Sequence, residues 1–228
     1  MSIIITGSHK NNIGKTIISI KMAVELSRSG RSVLMIDLSS GKLKMSEYLN
    51  VNEDIIYDVV DVMQKTCTLE QGIIEIKENL YLLPCPRIPG KINKLNKESF
   101  INLLQSIENF DNVIIDADLL TSAYIDFSKI DNAITINNND FSSIKEINFD
   151  KAISSKAANL IVIINKYNKK NAKKGKMMKS SDIEKLTNTT ITSLIEENAN
   201  YSDFCYEMIF DEKLLKIEIN NIIKKLNL

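Results

Sequence analysis

The feature that most constrains the fold is a Gly-Lys-Thr tripeptide, Gly14-Lys15-Thr16, that follows a short apolar run, Ile3-Ile4-Ile5. A helical pattern starts near Lys15. A strand, a loop ending in Gly-Lys-Thr and a helix form the context of a phosphate-binding loop, because loop N–H groups and a helix N-terminus together bind anions. The sequence therefore predicts that residues 10–16 bind a nucleoside triphosphate. The alternative is a Gly-Lys-Thr that occurs by chance at a strand–helix turn.

Apolar runs of strand length alternate with helical patterns along the 228 residues. The runs are continuous in Val, Ile and Leu, which is typical of strands covered by helices on both faces. The candidate strands are residues 3–6, 32–37, 80–83, 112–116, 133–137, 160–165 and 190–193, and the candidate helices are residues 15–28, 100–107, 141–153 and 213–226. This order predicts an α/β fold with a doubly wound, mostly parallel sheet flanked by helices, in a single domain spanning residues 1–228.

Composition excludes several functional classes. Lys plus Arg and Asp plus Glu both number 29, so the net charge gives no reason to expect a polyanionic partner. His9 is the only histidine, and we expect no Ser-His-Asp or Cys-His catalytic set. Three widely spaced cysteines, Cys67, Cys85 and Cys205, give neither a metal-binding spacing nor a disulfide framework. We therefore expect a cytoplasmic protein in a reducing compartment.

Two acidic residues each follow an apolar strand. Asp37 ends the run Val33-Leu34-Met35-Ile36, and Asp116 ends the run Val113-Ile114-Ile115. The carboxyl ends of parallel strands face the ligand crevice, so both acids are placed to hold Mg²⁺ directly or through its waters. The alternative for each is an aspartate that caps the turn after a strand.

Asn165 and Lys166 end a later strand, where an amide suits the edge of a purine; the alternative is an Asx turn. Seven lysines then crowd into residues 166–179. They form either a solvated flexible loop or a contact for an anionic surface, and we expect weak, salt-sensitive nucleic-acid binding at most.

The last segment, residues 213–226, is an amphipathic helix. Such a helix either lies on a membrane surface or packs on the sheet as a final core helix. We expect the second arrangement, and with it no intrinsic membrane anchor.

Several segments together resemble the MinD/ParA family, and its MinD-like branch in particular. Lys10, five residues before Lys15, resembles the extra lysine of that family's deviant Walker A motif, Lys-Gly-Gly-x-Gly-Lys-Thr. Residues 33–37 resemble the second strand with its switch I aspartate, and residues 110–116 resemble the Walker B strand. Residues 139–144 resemble the segment before the helix that lines the dimer face, and residues 165–168 and 194–197 resemble the adenine-binding segments. The similarity spans roughly residues 2–226.

The resemblance implies a homodimer that binds Mg-ATP between its subunits and separates after hydrolysis, which a partner protein accelerates. Such proteins position or assemble cellular structures. Lys10 would reach the partner subunit's phosphates, Lys15 would hold the β- and γ-phosphates, and Asp37 would act in catalysis and near the metal. The implied ligands of Mg²⁺ are Thr16, Asp37 and Asp116, and the implied nucleotide-binding residues are Asn11, Asn12, Ile13, Gly14, Lys15, Thr16, Ile17, Asn165 and Lys166.

The chain departs from the family pattern at several positions. His9, Asn11 and Asn12 replace glycines, and Ile17 replaces a hydroxyl residue. Asparagine tolerates a left-handed backbone better than other non-glycine residues, so the loop can persist. Ser39 stands where the family has a second acid, and Ala117-Asp118-Leu119 replaces a small-Pro-x turn.

These departures favour ATP binding over rapid hydrolysis, so we expect a slow ATPase. One alternative is a degenerate scaffold that binds nucleotide without hydrolysing it. Another is a small-molecule enzyme similar to dethiobiotin synthetase, because Thr6-Gly7 ahead of residues 13–16 resembles the sequence of that enzyme. Lys10 and Asp37 argue against this alternative.

Overall fold

The computed structural model describes residues 1–41, 43–118, 123–198 and 205–228. Its centre is one eight-stranded sheet in the order β3-β4-β2-β5-β1-β6-β7-β8. The strands are β1 (Ser2–Ser8), β2 (Val33–Leu38), β3 (Ile74–Lys77), β4 (Leu80–Leu83), β5 (Asn112–Asp118), β6 (Asn132–Asn137), β7 (Asn159–Tyr167) and β8 (Ile191–Glu196). Every neighbouring pair in the described residues is parallel except β3 with β4. The predicted doubly wound α/β fold is confirmed.

Helices cover both faces of this sheet. They are α1 (Lys15–Arg28), α2 (Met45–Tyr48), α3 (Val59–Met63), α4 (Leu69–Gly72), α5 (Lys97–Ser106), α6 (Ser143–Ser154), α7 (Lys169–Lys173), α8 (Ser180–Thr187), α9 (Tyr206–Ile209) and α10 (Lys216–Lys225). Alternate strand residues enter different cores: Ile4 packs with α1 and α10, whereas Ile3 and Ile5 pack with α3 and α5. Burial on both faces explains why the strands are continuously apolar.

The strand register brings polar residues to one edge of the sheet. Thr6 of β1 pairs with Asp116 of β5, and Asp116 pairs in turn with Asp37 of β2. Two residues further along, Ser8 pairs with Asp118. Since β1, β2 and β5 are parallel, this row lies at their carboxyl ends, where an α/β sheet places its ligand crevice.

The edge strand β3 has no counterpart among the predicted strands. Its four residues alternate between half-buried and exposed, and it pairs antiparallel with β4. Asn79, in the turn between them, has a left-handed backbone (φ 62°). A short half-exposed strand with two charged residues lacks the apolar run by which the other strands were identified.

The terminal helix α10 packs against α1 and β8, and its Ile219 and Ile222 are fully buried. This packing confirms the expected core position of the helix. Among the described residues, none of the helices combines the length and apolar character needed to cross a membrane.

A buried lysine links α1 to the segment before α10. The Lys21 side chain is fully buried, and its ammonium donates to the carbonyl oxygens of Ile209 (3.2 Å) and Asp211 (2.8 Å). Burial lowers the pKa of Lys21 from its ordinary value. The ammonium satisfies carbonyls at the end of α9, which water would otherwise have to reach.

We predict that Lys21→Met destabilises the fold by about 1–2 kcal/mol, because the methionine keeps the apolar stem but leaves these carbonyls without a donor. Urea unfolding measures the change. Lys224→Met, on the exposed face of α10, is the matched control and should stay within about 0.5 kcal/mol of the parent. Equal stabilities for the two variants would contradict the linking role of Lys21.

Candidate functional site

The loop between β1 and α1 turns through two left-handed residues, Asn12 (φ 57°) and Gly14 (φ 88°). Asn12 thus adopts the conformation that asparagine was expected to tolerate in place of glycine. Gly14 precedes α1 directly, and a Cβ there would lie 2.5 Å from the amide nitrogen of Asn165. Both the backbone angle and the close approach therefore require glycine at position 14.

Two side chains from the end of β7 brace this loop. The Asn165 amide donates to the Ile13 carbonyl (2.7 Å), and the Lys166 ammonium donates to the Asn12 carbonyl (2.8 Å). Resemblance assigned Asn165 and Lys166 to the adenine base, whereas their contacts here are to the backbone of the phosphate loop. These contacts fix the loop's shape, and a role toward the base stays a prediction.

The other predicted loop residues differ in exposure. Asn11 and Asn12 are exposed, whereas Ile13 and Ile17 are buried in the core beside α1. Ile13 and Ile17 can therefore meet a ligand only through their backbone groups.

Lys15 is buried, and its ammonium lies 2.8 Å from the Lys10 carbonyl and 3.1 Å from a carboxylate oxygen of Asp118. The other Asp118 oxygen accepts from the Ser40 backbone N–H (2.6 Å) and hydroxyl. Burial alone would raise the pKa of Asp118, but the hydrogen bonds from Ser40 and the charge of Lys15 outweigh it and hold the pKa below its ordinary value. Asp118 is therefore ionised in the site.

Sequence reasoning did not identify Asp118 as a site residue. It ended the strand at Asp116, whereas β5 continues to Asp118. Residues two apart on a strand share a face, so a longer strand would have placed both carboxylates beside the loop. Leu119, the third residue of the altered segment, lies outside the described residues.

The residues expected to bind Mg²⁺ meet at the start of α1. The Thr16 hydroxyl donates to Asp116 (2.5 Å), which is fully buried. Burial, followed by the charge of neighbouring Asp37, raises the pKa of Asp116 to about 7. A hydroxyl and closely spaced carboxylates suit a hard divalent cation, which would relieve this repulsion and complete its shell with water and phosphate oxygens. The residues therefore fit Mg²⁺.

Asp37 is also fully buried, and both of its oxygens accept hydrogen bonds from the segment after β2. One oxygen accepts from the Ser39 backbone N–H (3.0 Å) and hydroxyl (2.6 Å), and the other accepts from the Met45 N–H (2.8 Å). Burial raises the pKa of Asp37 despite these bonds. They are the contacts of a turn-capping aspartate, the alternative left open by the sequence. Its catalytic and metal roles stay predictions.

Lys10 points its ammonium at acidic residues of its own chain. It forms ion pairs with Asp140 and with Glu146 (3.5 Å), and it donates to Asn138 (3.1 Å) and Ser142 (3.2 Å). These residues lie between the end of β6 and the first turns of α6. Burial would raise the pKa of Asp140, but the hydrogen bond from Lys10 contributes to lowering it to about 2.

The neighbouring His9 supports this arrangement. Its backbone N–H donates to buried Asp150 on α6 (3.1 Å), and its ring also contacts that carboxylate. The ring meets Phe149 edge-on at 4.0 Å between centroids. His9, which replaces a family glycine, thus fixes the start of the loop against α6.

The two segments assigned by resemblance to the adenine base lie side by side. Tyr167 pairs with Glu196, the Glu197 N–H donates to the Tyr167 carbonyl (3.1 Å), and Asn168 donates to Glu197 (2.5 Å). Together with lysines from α7 they line an open pocket of about 500 Å³. The lysine-rich stretch is partly ordered by α7 and by buried Met178, so it is not wholly the flexible loop that we considered.

Comparison with known proteins agrees with this geometry. The family model for CbiA, the CobQ/CobB/MinD/ParA nucleotide binding domain, matches residues 4–205. The septum site-determining protein MinD of Buchnera aphidicola (subspecies Acyrthosiphon pisum) is 27% identical over 212 residues, covering 86% of this chain and 78% of that protein. MinD of Escherichia coli K12 is 26% identical over 212 residues, with the same coverage of 86% and 78%.

Solved structures show the same fold. The MinC:MinD cell division protein complex of Aquifex aeolicus has a TM-score of 0.81 at 22% identity, covering 100% of this chain and 96% of the other. MinD of Pyrococcus horikoshii, complexed with Mg-ADP, has a TM-score of 0.80 at 20% identity, covering 99% and 96%. The resemblance read from the sequence is confirmed: this chain belongs to the CobQ/CobB/MinD/ParA family of nucleotide-binding domains.

Proposed function

We propose that this protein binds Mg-ATP at residues 10–16 and uses the nucleotide to switch between monomer and homodimer, with slow or partner-stimulated hydrolysis, in positioning or assembling a cellular structure. The observation that carries the proposal is the meeting of Lys15, Thr16 and Asp116 at the N-terminus of α1. There a lysine, a hydroxyl and a carboxylate converge on the loop that family members use for nucleotide.

Each group has a distinct task in this proposal. The loop and helix N–H groups bind the phosphate oxygens, and Lys15 neutralises the β- and γ-phosphates. Thr16 and Asp116 would hold Mg²⁺ directly or through its water shell, and the metal would supply charge stabilisation to the phosphates. ADP would occupy the same site after hydrolysis.

The surroundings of Asp37 support slow hydrolysis. Ser39 occupies the position of a second acid and donates its hydroxyl to Asp37. With both oxygens of Asp37 bound to its own chain, neither position 37 nor position 39 offers an unengaged carboxylate to orient an attacking water. The same observation favours the second candidate, a scaffold that binds nucleotide without hydrolysing it.

The contacts of Lys10 support a switch. Its ammonium is held by Asp140 and Glu146 of its own chain, so reaching a second subunit's phosphates requires exchanging these carboxylates for phosphate. A population shift needs such a difference in contacts between two states. The segment from Asp140 into α6, which carries both carboxylates, would then sense whether the dimer has formed.

One solved relative supports a protein partner. The solved MinC:MinD complex pairs a protein of this family with a second protein. We propose that an activating protein of this kind stimulates turnover here, and that nucleic acid binds weakly or not at all.

We predict that Mg-ATP and Mg-ADP bind the full chain and that Lys15→Ala weakens both by at least about thirtyfold, because a buried charge-assisted contact to phosphate is lost. Isothermal titration calorimetry measures both affinities. Lys129→Ala is the matched control, since this exposed lysine precedes β6 at the opposite edge of the sheet. No heat of binding from folded wild-type protein with either nucleotide would refute the proposed function.

We predict two separate effects of Lys10→Ala. The pKa of Asp140 rises from about 2 toward its ordinary 3.8, because the stabilising cation is removed, and carboxyl-carbon NMR titration follows it. The ATP-dependent dimer, measured by light scattering after size exclusion, is lost while the monomer still binds Mg-ADP.

Lys145→Ala, an exposed lysine on the same helix α6, controls for a general change in charge. It should leave the Asp140 titration and the dimer as in the parent. An ATP-dependent dimer that survives Lys10→Ala would rule out the exchange of partners. Phosphate release measured on the wild-type dimer separates the two candidate functions: a slow ATPase releases phosphate, whereas the scaffold does not.

A further inference from the structure

The ion pair between Lys15 and Asp118 gives the phosphate site an internal competitor. The lysine is 7% exposed and the aspartate is 6% exposed, with 3.1 Å between the ammonium nitrogen and a carboxylate oxygen. An ammonium has three donors. One lies on the Lys10 carbonyl and one on Asp118, so a phosphate that approaches Lys15 must either share the ammonium with this carboxylate or displace it.

Asp118 is fixed in place and so cannot easily withdraw when a phosphate arrives. Its other oxygen accepts from both the backbone N–H and the hydroxyl of Ser40, and its backbone pairs with Ser8 at the end of β1, directly before the loop. A carboxylate that stays beside bound phosphates repels them, and the repulsion grows with their charge and with low exposure to water.

We propose that Asp118 is a specificity-determining residue of the nucleotide site: its fixed negative charge competes for Lys15 and repels phosphate, which weakens binding of the triphosphate more than that of the diphosphate. The inference rests on the proposed function, since it needs nucleotide at residues 10–16. We expect the larger effect on the triphosphate because Lys15 in a phosphate-binding loop reaches both the β- and the γ-phosphate, and a diphosphate has no γ-phosphate.

A purely structural role for Asp118 gives a different expectation. If the carboxylate serves only to hold Ser40 and the segment after β2, removing its charge should leave nucleotide affinity unchanged or weaken it. Asp118→Asn separates the two roles, because the amide oxygen can still accept from Ser40 while the charge is gone.

The experiment measures dissociation constants for Mg-ATP and Mg-ADP by calorimetry on the full chain. We expect Asp118→Asn to bind Mg-ATP about tenfold and Mg-ADP about threefold more tightly than the wild type. Ser40→Ala removes one hydrogen bond and keeps the charge, so both constants should stay within about twofold. In a Lys15→Ala background, Asp118→Asn should increase nucleotide affinity by a smaller factor than in the wild type, because the competition for the lysine is gone and only the repulsion remains.

The outcomes separate this inference from the proposed function. Wild-type protein that binds neither nucleotide removes the proposed function. Wild-type protein that binds both, with Asp118→Asn no tighter for Mg-ATP, overturns the inference alone. Equal gains in affinity for Mg-ATP and Mg-ADP would also overturn the inference, because Asp118 would then not distinguish the two nucleotides.

Two further readouts apply if Asp118→Asn does not fold. Asp118→Ser removes the same charge with a smaller polar side chain and should shift the constants in the same direction. Under conditions in which the wild type stays monomeric with either nucleotide, it should bind Mg-ADP at least as tightly as Mg-ATP. A wild-type preference for Mg-ATP of more than about tenfold would contradict the inference.

Discussion

The site depends on the parallel register that aligns Thr6, Asp116 and Asp37 at one edge of the sheet. Burying two neighbouring carboxylates in this row is unfavourable, and it raises the pKa of Asp116 to about 7. The Thr16 hydroxyl and the charge of Lys15 offset part of this cost, and a divalent cation would offset more. Positive charge is therefore favoured at this edge of the sheet, and the loop that follows β1 lies there.

Both lysines of the loop that match the family motif, Lys10 and Lys15, are already paired within the chain. Lys15 contacts Asp118, and Lys10 contacts Asp140 and Glu146. In the function we propose, nucleotide binding would be an exchange of carboxylate for phosphate rather than the capture of an anion by unpaired cations. Such an exchange lowers net affinity, but it also gives each lysine two discrete partners, which is the physical basis of a switch.

Much of this architecture could be predicted from residue patterns. Helix α1 has the predicted bounds of residues 15–28, because a Gly-Lys-Thr start and continuous helical periodicity mark both ends. The left-handed backbone of Asn12 followed from the known tolerance of asparagine. Strand β3 was missed because its alternating, charged residues give no apolar run. The pairings of Lys10 and Asp118 were missed because they join residues more than 100 positions apart, which only the strand order brings together.

The most direct test of the account is a crystal structure of the full chain grown with Mg-ADP. The account places the phosphates on the N–H groups of residues 10–16, with Lys15 moved from Asp118 to a phosphate oxygen and the metal beside Thr16 and Asp116. Nucleotide bound elsewhere, or a Lys15–Asp118 pair unchanged beside bound phosphates, would contradict it.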